Sequence, residues 1–304
     1  MSPFEIANVV FTGSQPGPHL LITAGVHGDE FEGMAAVWRL IARFSATESG
    51  VELGAGTLTL VPVVNEQAFH RGTRTADDGL DLARTCPGDP EGSITQQAAH
   101  ALSQLIDEAD CYIDLHSGGR ELSVWPMTGY ILHADAEVLD RQRAMARAFG
   151  LPVVWGTSPE LEGRSLSVAR DLGVPAIYAE FYGSGMCNPH GVDAYTDGCL
   201  NVMRHLGMIA GEPSRRPIEL VVEDPRPDSG HLQICNPSPT TGFFQPAVTL
   251  GRRVSSGDLL GRVTDVTGGD PHEIRTPHAG LVLVLRTFAS VEKGQTVGVV
   301  LETN

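Results

Sequence analysis

The chain has 304 residues, of which 41% are hydrophobic and 19% are charged, so it can bury a full core and is typical of a globular enzyme with two domains. Its 21 basic and 37 acidic residues give a formal net charge of -16, which repels phosphate backbones and anionic lipid surfaces. Composition and charge therefore exclude nucleic acid and membranes as expected partners.

The cysteines and the first residues bear on the cellular compartment. Five cysteines are scattered without a C-x-x-C pair, at Cys86, Cys111, Cys187, Cys199 and Cys235. The opening "MSPFEIANVVFTGSQPG" lacks the basic and apolar regions of a signal peptide, and no apolar run reaches the roughly 18 to 20 residues of a membrane helix. We expect a cytoplasmic protein with reduced thiols, and the sequence leaves a homo-oligomer open.

From residue 20 to about residue 210, short apolar runs alternate with longer amphipathic ones, which predicts strands joined by helices in an α/β layer fold. The predicted strands span residues 20–26, 57–64, 111–117, 151–156 and 175–183. The predicted helices span residues 31–44, 93–110, 135–149 and 192–209.

The segment "GEPSRRP", residues 211–217, interrupts this pattern and predicts a linker. After it, short β-branched runs alternate with the turn signals "SSGD", "TGGD" and "EKGQ", which indicates a small all-β domain. We therefore divide the chain into an α/β domain of residues 1–212 and a β domain of residues 213–304.

Residues suited to metal binding or proton transfer lie at three predicted strand ends. "TAGVHGDEFEG", residues 23–33, places His27 and Glu30 three apart at the start of a helix, and His116 closes "CYIDLH". Ligands collect at the carboxyl ends of strands in open α/β sheets, and a His, Glu, His set is typical of a catalytic zinc site. Glu180, in "PAIYAEFYG", is the candidate general base.

Each of these residues also has an ordinary structural interpretation. The helix dipole favours an acidic residue in a first helical turn, and a lone histidine at a strand end is commonly a surface polar residue. An isolated glutamate such as Glu180 is most often a salt-bridge partner. The recurrence of such residues at several strand ends favours the functional interpretation.

The long polar loop of residues 65–90 contains Arg71, Arg74 and Arg84. Loops of more than about 12 to 15 residues inside a compact domain are usually functional or disordered. Guanidinium groups clamp carboxylates and stabilise oxyanions, so these arginines are candidates for binding a substrate.

Four motifs, "GVHGDE", "DLAR", "DLHSGG" and "AEFYG", resemble in their order and separation the succinylglutamate desuccinylase/aspartoacylase family of zinc carboxypeptidase-like deacylases. The resemblance covers residues 20–210. The later segment "NPHGVDAYTDGCLNVMRHLGMI" and the β-rich tail are similar to the branch that includes N-acetyl-diaminobutyrate deacetylases. The resemblance implies a three-layer α/β/α domain with a mixed, mainly parallel sheet, and a smaller C-terminal β domain like a barrel-sandwich.

The resemblance also implies one Zn²⁺ per chain, with His27, Glu30 and His116 as ligands. Glu180 matches the family's base, and a second group of residues matches positions around the ligands. Asp81 matches the aspartate that orients the first ligand histidine, Arg84 the arginine that binds the substrate carboxylate, and Arg74 the arginine that polarises the scissile carbonyl.

Two features depart from related proteins. Ala83 stands where the family usually has an asparagine, so an amide that helps to hold the substrate carboxylate is missing. The β domain resembles biotinyl and lipoyl carriers, but the stretch "VTDVTGGDPHEI" has no lysine to modify, and the chain's single lysine, Lys293, lies in a later turn. We therefore expect this domain to cover the rim of the active site and not to carry a swinging arm.

The sequence thus predicts a zinc-dependent hydrolase that cleaves the amide bond of a small N-acyl amino acid, with metal-bound water attacking the acyl carbonyl. The negative overall charge slightly favours a cationic amine product such as diaminobutyrate over acyl-aspartate. A metallocarboxypeptidase-type peptidase and a non-catalytic binding protein with the same fold remain alternatives. Ser117 and Ser184 lie outside any G-x-S-x-G motif, which argues against a serine nucleophile.

Overall fold

A mixed β-sheet with helices on both faces dominates the structure, a computed structural model that describes residues 4–46, 51–214, 216–232 and 235–303. The predicted linker includes Arg215, which lies outside the described residues. The α-helices are α1 (Phe31–Ser45), α2 (Glu66–Arg71), α3 (Ile94–Asp107), α4 (Ala136–Phe149), α5 (Ser165–Leu172) and α6 (Pro189–His205).

The strands occur throughout the chain and become shorter toward its C-terminal end. The first eight are β1 (Val9–Thr12), β2 (Gln15–Ala24), β3 (Ala55–Val61), β4 (Cys111–Leu115), β5 (Leu122–Ile131), β6 (Val153–Thr157), β7 (Ala176–Gly183) and β8 (Leu220–Glu223). The others are β9 (Gly242–Pro246), β10 (Arg253–Val254), β11 (Leu259–Thr264), β12 (His272–Arg275), β13 (Gly280–Arg286), β14 (Ser290–Val291) and β15 (Gly298–Glu302).

Eleven strands of the described chain share one sheet, whose main path runs β1-β3-β2-β4-β7-β5-β13-β10. The contacts of β2 with β3, of β2 with β4 and of β4 with β7 are parallel. Strand β5 is antiparallel to β7 but parallel to β6. The prediction of a mixed, mainly parallel sheet in an α/β fold is therefore confirmed.

The helices bury one face each against this sheet. In α1, Met34, Val37 and Leu40 are fully buried in the core on one face of the sheet, at the helical spacing that the sequence shows. Side chains of β4 alternate, since Ile113 belongs to this core and Tyr112 to the core on the opposite face. Each such apolar side chain contributes roughly 1.5–3 kcal/mol when it leaves water.

The sequence pattern did not reveal β5, and the reason is Pro126. A proline cannot donate a ladder hydrogen bond, so "LSVWPMTGYI" does not read as a central strand. In the structure the pairing of β5 with β7 shifts register between Val124 and Met127, so Pro126 lies in a bulge where its missing N–H is tolerated.

The C-terminal region contains β-strands, as predicted, and it is joined to the central sheet. A separate four-stranded antiparallel sheet has the order β12-β11-β9-β14 within the described residues. Strand β13 pairs with β5, with Val284 opposite Val124, and β8 pairs with β6. The central sheet thus continues past residue 212, and the division of the chain at that point stays a prediction.

None of the helices in the described part of the chain combines the length and the apolar character that a membrane crossing requires.

Candidate active site

His27, Glu30 and His116 converge on one point, although His116 is far from the other two in sequence. One ligand atom from each residue lies within 4.8 Å of the others. Glu30 joins the two rings, because its Oε1 is 2.7 Å from His27 Nδ1 and its Oε2 is 3.0 Å from His116 Nδ1. The backbone N–H of Ser117 donates to Glu30 Oε2 at 3.1 Å and helps to fix the carboxylate.

The convergence follows from the sheet. Strands β2 and β4 are parallel neighbours with Ala24 opposite Leu115, so the loop that contains His27 begins beside His116. Gly28 then lets the chain pass α2, because a Cβ at this position would lie 1.9 Å from the backbone carbon of Ala68.

Two further carboxylates orient the imidazoles by contacting the Nε2 atoms, which face away from Glu30. Asp81 Oδ1 is 3.0 Å from His27 Nε2, and Asp114 Oδ2 is 3.1 Å from His116 Nε2. Because an ionised carboxylate only accepts hydrogen bonds, Asp81 and Asp114 favour a proton on each Nε2, and each Nδ1 is turned toward Glu30. Asp114 is completely buried and is itself held by hydroxyl donors from Thr23 and Ser165.

This donor set suits a divalent cation. Burial alone would raise the pKa of Glu30, but His27 and His116 lower it below its usual range. Burial opposes the charged form of His116, yet Asp114 and Glu30 raise the pKa of this histidine well above its usual value. The lowered pKa keeps Glu30 ionised, and two imidazoles with one carboxylate are ligands that zinc prefers.

Glu180 lies beside His116, because β4 and β7 run in parallel and the backbone N–H of His116 donates to Ala179 O at 2.9 Å. Its side chain is buried, and Oε2 has no hydrogen-bond partner among the described residues. Burial and the neighbouring charge of Glu30 raise the pKa of Glu180 well above its usual range. Glu180 is therefore a carboxyl that can hold or release a proton next to the candidate metal site.

The three predicted arginines have different surroundings. Arg74 reaches the site, since its guanidinium donates twice to Asp81 Oδ2, at 3.0 and 3.1 Å, and its Nη1 lies 3.6 Å from Glu30 Oε1. Arg84 lines the same cavity and donates to Ala83 O at 2.6 Å. Arg71 instead forms an exposed ion pair with Asp77 and does not line the cavity, so its role in substrate binding stays a prediction.

A cavity over these residues also contains groups that the sequence did not single out. Arg164 precedes α5 and donates from Nη2 to Gly230 O at 3.1 Å, and burial and the neighbouring Arg84 lower the pKa of Arg164 to about 10. Arg164 had no sequence signal because neither α5 nor its N-terminal residue was predicted. Asp114 did have a sequence signal, since it lies on the same face of its strand as His116.

Tyr178 also lines the cavity. Its ring lies across Gly129, where a Cβ would lie 2.6 Å from the Tyr178 hydroxyl.

Known proteins share both the sequence and the architecture of this chain. Residues 16–206 match the succinylglutamate desuccinylase/aspartoacylase catalytic domain. The N-alpha-acetyl-L-2,4-diaminobutyric acid deacetylase of Halomonas elongata is 34% identical, over 94% of this chain and 82% of the relative.

Two solved structures are similar over almost the whole chain. A succinylglutamate desuccinylase/aspartoacylase from Rhodobacter sphaeroides is 30% identical with a TM-score of 0.85, over 98% of this chain and 90% of the other. The product-bound ectoine utilization protein EutE (DoeB) from Ruegeria pomeroyi is 29% identical with a TM-score of 0.86, over 97% and 88%. The chain therefore belongs to the succinylglutamate desuccinylase/aspartoacylase family.

Proposed function

We propose that this protein is a zinc-dependent amidohydrolase that removes the acyl group from a small N-acyl amino acid. The observation that carries the proposal is the convergence of His27, Glu30 and His116, with Glu180 beside them in one cavity. Membership of a deacylase family and the deacetylase relative from Halomonas elongata support it.

His27, Glu30 and His116 would hold the metal, and Asp81 and Asp114 would keep the two rings in the tautomer that binds it. A zinc ion there supplies Lewis acidity, which polarises the acyl carbonyl and lowers the pKa of water.

Glu180 would act as the general base and then as the general acid. Its unpartnered oxygen and raised pKa suit a group that accepts a proton from the attacking water and then delivers it to the leaving nitrogen. Both transfers require the carboxyl to stay beside the scissile amide, and β7 provides a rigid support for it.

Arg74 would stabilise negative charge on the acyl oxygen, since it is held toward the metal ligands by Asp81. Arg84 would bind the carboxylate of the amino acid, as a guanidinium in the same cavity can. Ala83, which lines the cavity beside it, offers no side-chain donor, so the carboxylate depends on guanidinium groups here.

We also propose a cytoplasmic setting. In the described chain all five cysteines are free thiols, which agrees with a reducing compartment. The oligomeric state stays a prediction.

A hydrolysis screen with zinc-loaded and metal-stripped protein tests the proposal. The substrates are N-acetyl, N-formyl and N-succinyl amino acids and unblocked dipeptides, with release of the free amine as the readout. We expect zinc-dependent release from acyl amino acids and little from dipeptides. Cleavage of dipeptides but not of acyl amino acids would favour a peptidase. Elemental analysis that finds no bound metal, with no hydrolysis of any substrate after zinc is added, would favour a binding protein.

A further inference from the structure

We infer that the substrates of this protein are N-acyl amino acids with an uncharged, apolar side chain, an inference that rests on the proposed function. The cavity presents six large aliphatic side chains in addition to its reactive groups. We call this set the apolar wall: Leu122, Val124, Ile131, Leu166, Leu232 and Val284. Five of the six are buried and Leu232 is half-buried, so the wall is an apolar boundary of the cavity.

The cavity has no acidic group to receive a substrate ammonium. Among the described residues that line it, the carboxylates are Glu30 and Glu180. Glu30 is shared between the two histidines and the backbone N–H of Ser117, and Glu180 is assigned to proton transfer. A cationic side chain would have to compete for one of these carboxylates, at the cost of the reaction.

The acidic residues nearby line a different cavity. Asp29 and Glu121 line a neighbouring cavity that shares Arg74, Gly118 and Leu122 with the first. Asp29 Oδ2 accepts the backbone N–H of Arg120 at 2.8 Å, whereas its buried Oδ1 has no partner among the described residues. Glu121 lies 3.2 Å from the guanidinium of Arg286. Neither carboxylate lines the cavity that holds the apolar wall.

Two arginines, Arg84 and Arg164, also add positive charge to the cavity. Arg84 and Arg164 form no ion pair with a carboxylate of the described chain, and the segments that carry them touch, since Cys86 N donates to Gly163 O at 3.0 Å. Burial lowers the pKa of Arg164, and the neighbouring charge of Arg84 lowers it further. A third cation here would be repelled by both, and like charges placed together cost several kcal/mol.

These arginines can bind the α-carboxylate of the substrate. Each guanidinium donates to one backbone carbonyl, Arg84 to Ala83 and Arg164 to Gly230, and has further N–H groups for a carboxylate. A charged side chain that lay against the apolar wall would instead lose water without gaining a partner there. This local charge outweighs the negative charge of the whole protein, which by itself favours a diaminobutyrate-like product. The inferred substrate differs from the diaminobutyric acid that the name of the Halomonas elongata relative specifies.

Two substrates of equal length test the inference: N-acetyl-L-norvaline, and Nα-acetyl-L-2,4-diaminobutyrate, which has an ammonium in place of the terminal methyl. With zinc-loaded protein we expect kcat/KM to be at least about tenfold higher for norvaline. Faster hydrolysis of the diaminobutyrate compound, or of N-acetyl-L-aspartate as a third substrate, overturns the inference but leaves the deacylase proposal intact. No hydrolysis of any of the three, together with a negative screen, removes the deacylase proposal itself.

A charged wall provides a second test. Leu232→Glu adds a carboxylate at a half-buried loop position of the wall, and Val266→Glu makes a comparable change at a position that is 98% exposed. We expect the rate ratio of diaminobutyrate to norvaline substrate to rise at least about tenfold in Leu232→Glu and to stay within about twofold in Val266→Glu. An unchanged ratio in folded Leu232→Glu overturns the inference. If Leu232→Glu does not fold, the relative rates of the norvaline and diaminobutyrate substrates in the unmodified protein test the inference alone.

Discussion

Two parts of one cavity are built in different ways: the apolar wall, and the group of His27, Glu30, His116 and Glu180, which we call the reaction centre. In the reaction centre, the ligand side chains are held by carboxylates, backbone amides and neighbouring strand ends. The wall has no polar side chain, and it is assembled from β5, α5, β13 and the loop around residue 232. The difference indicates that bond cleavage and substrate choice depend on separate parts of the chain, which substitutions can distinguish.

The largest expected effect is that of Glu180→Gln, which removes the proton carrier from the reaction centre. We expect kcat to fall by about two to four orders of magnitude for every substrate, because a positioned acid/base contributes that much. Metal content, measured by elemental analysis, should not change. Glu160→Gln, at an exposed position, is the control. If Glu180→Gln retained normal rates, the assignment of the base would be wrong.

A smaller effect is expected from the carboxylates that orient the histidines. Asp114→Asn and Asp81→Asn should each weaken zinc binding about 10- to 100-fold, because the rings lose the partner that fixes their tautomer. The loss should be greater for Asp114, whose side chain is completely buried, than for Asp81, which is 24% exposed. Competition with a coloured chelator measures the affinity.

Asp107→Asn, on an exposed part of the chain, is the matched control for both variants. Equal zinc affinity in all three proteins would mean that neither Asp81 nor Asp114 supports the metal ligands.

The smallest effect concerns the substrate end of the cavity. Arg84→Met should raise KM about tenfold and leave kcat nearly unchanged, because an exposed guanidinium loses one charge-assisted contact to the substrate carboxylate. Arg71→Met is the comparison, since Arg71 lies outside the cavity and pairs with Asp77.

We expect Arg71→Met to change KM by less than about twofold, which initial-rate measurements can resolve. A rise in both variants would show that the substrate or a moving loop reaches Arg71. A rise in Arg71→Met alone would contradict the assignment of Arg84.

Much of the fold and the candidate site could be predicted from the sequence, because the motifs that carry them are local. The family, its diaminobutyrate deacetylase branch and the mixed α/β fold are confirmed. His27, Glu30 and His116 do converge, and the predicted partners Asp81 and Arg74 do contact this group. The specific roles of these residues, and zinc itself, stay predictions that the variants above test.

Other parts could not be predicted, because they depend on contacts between distant segments. Strand β5 contains Pro126, and only the bulge against β7 makes this proline compatible with a strand. Arg164 enters the cavity because α5 begins there, next to the segment of Arg84. Val284 reaches the cavity because β13 pairs with β5, an arrangement that no pattern within β13 encodes.

By itself, the sequence determined which residues can bind a metal and move a proton, since these abilities reside in single side chains and in their spacing along one strand or turn. Only the tertiary structure decided which side chains share the cavity with them. Hydrogen bonding between strands and burial of apolar surface bring together residues more than 150 positions apart, such as Leu122 and Val284, and these long-range contacts define the surface against which the substrate would lie.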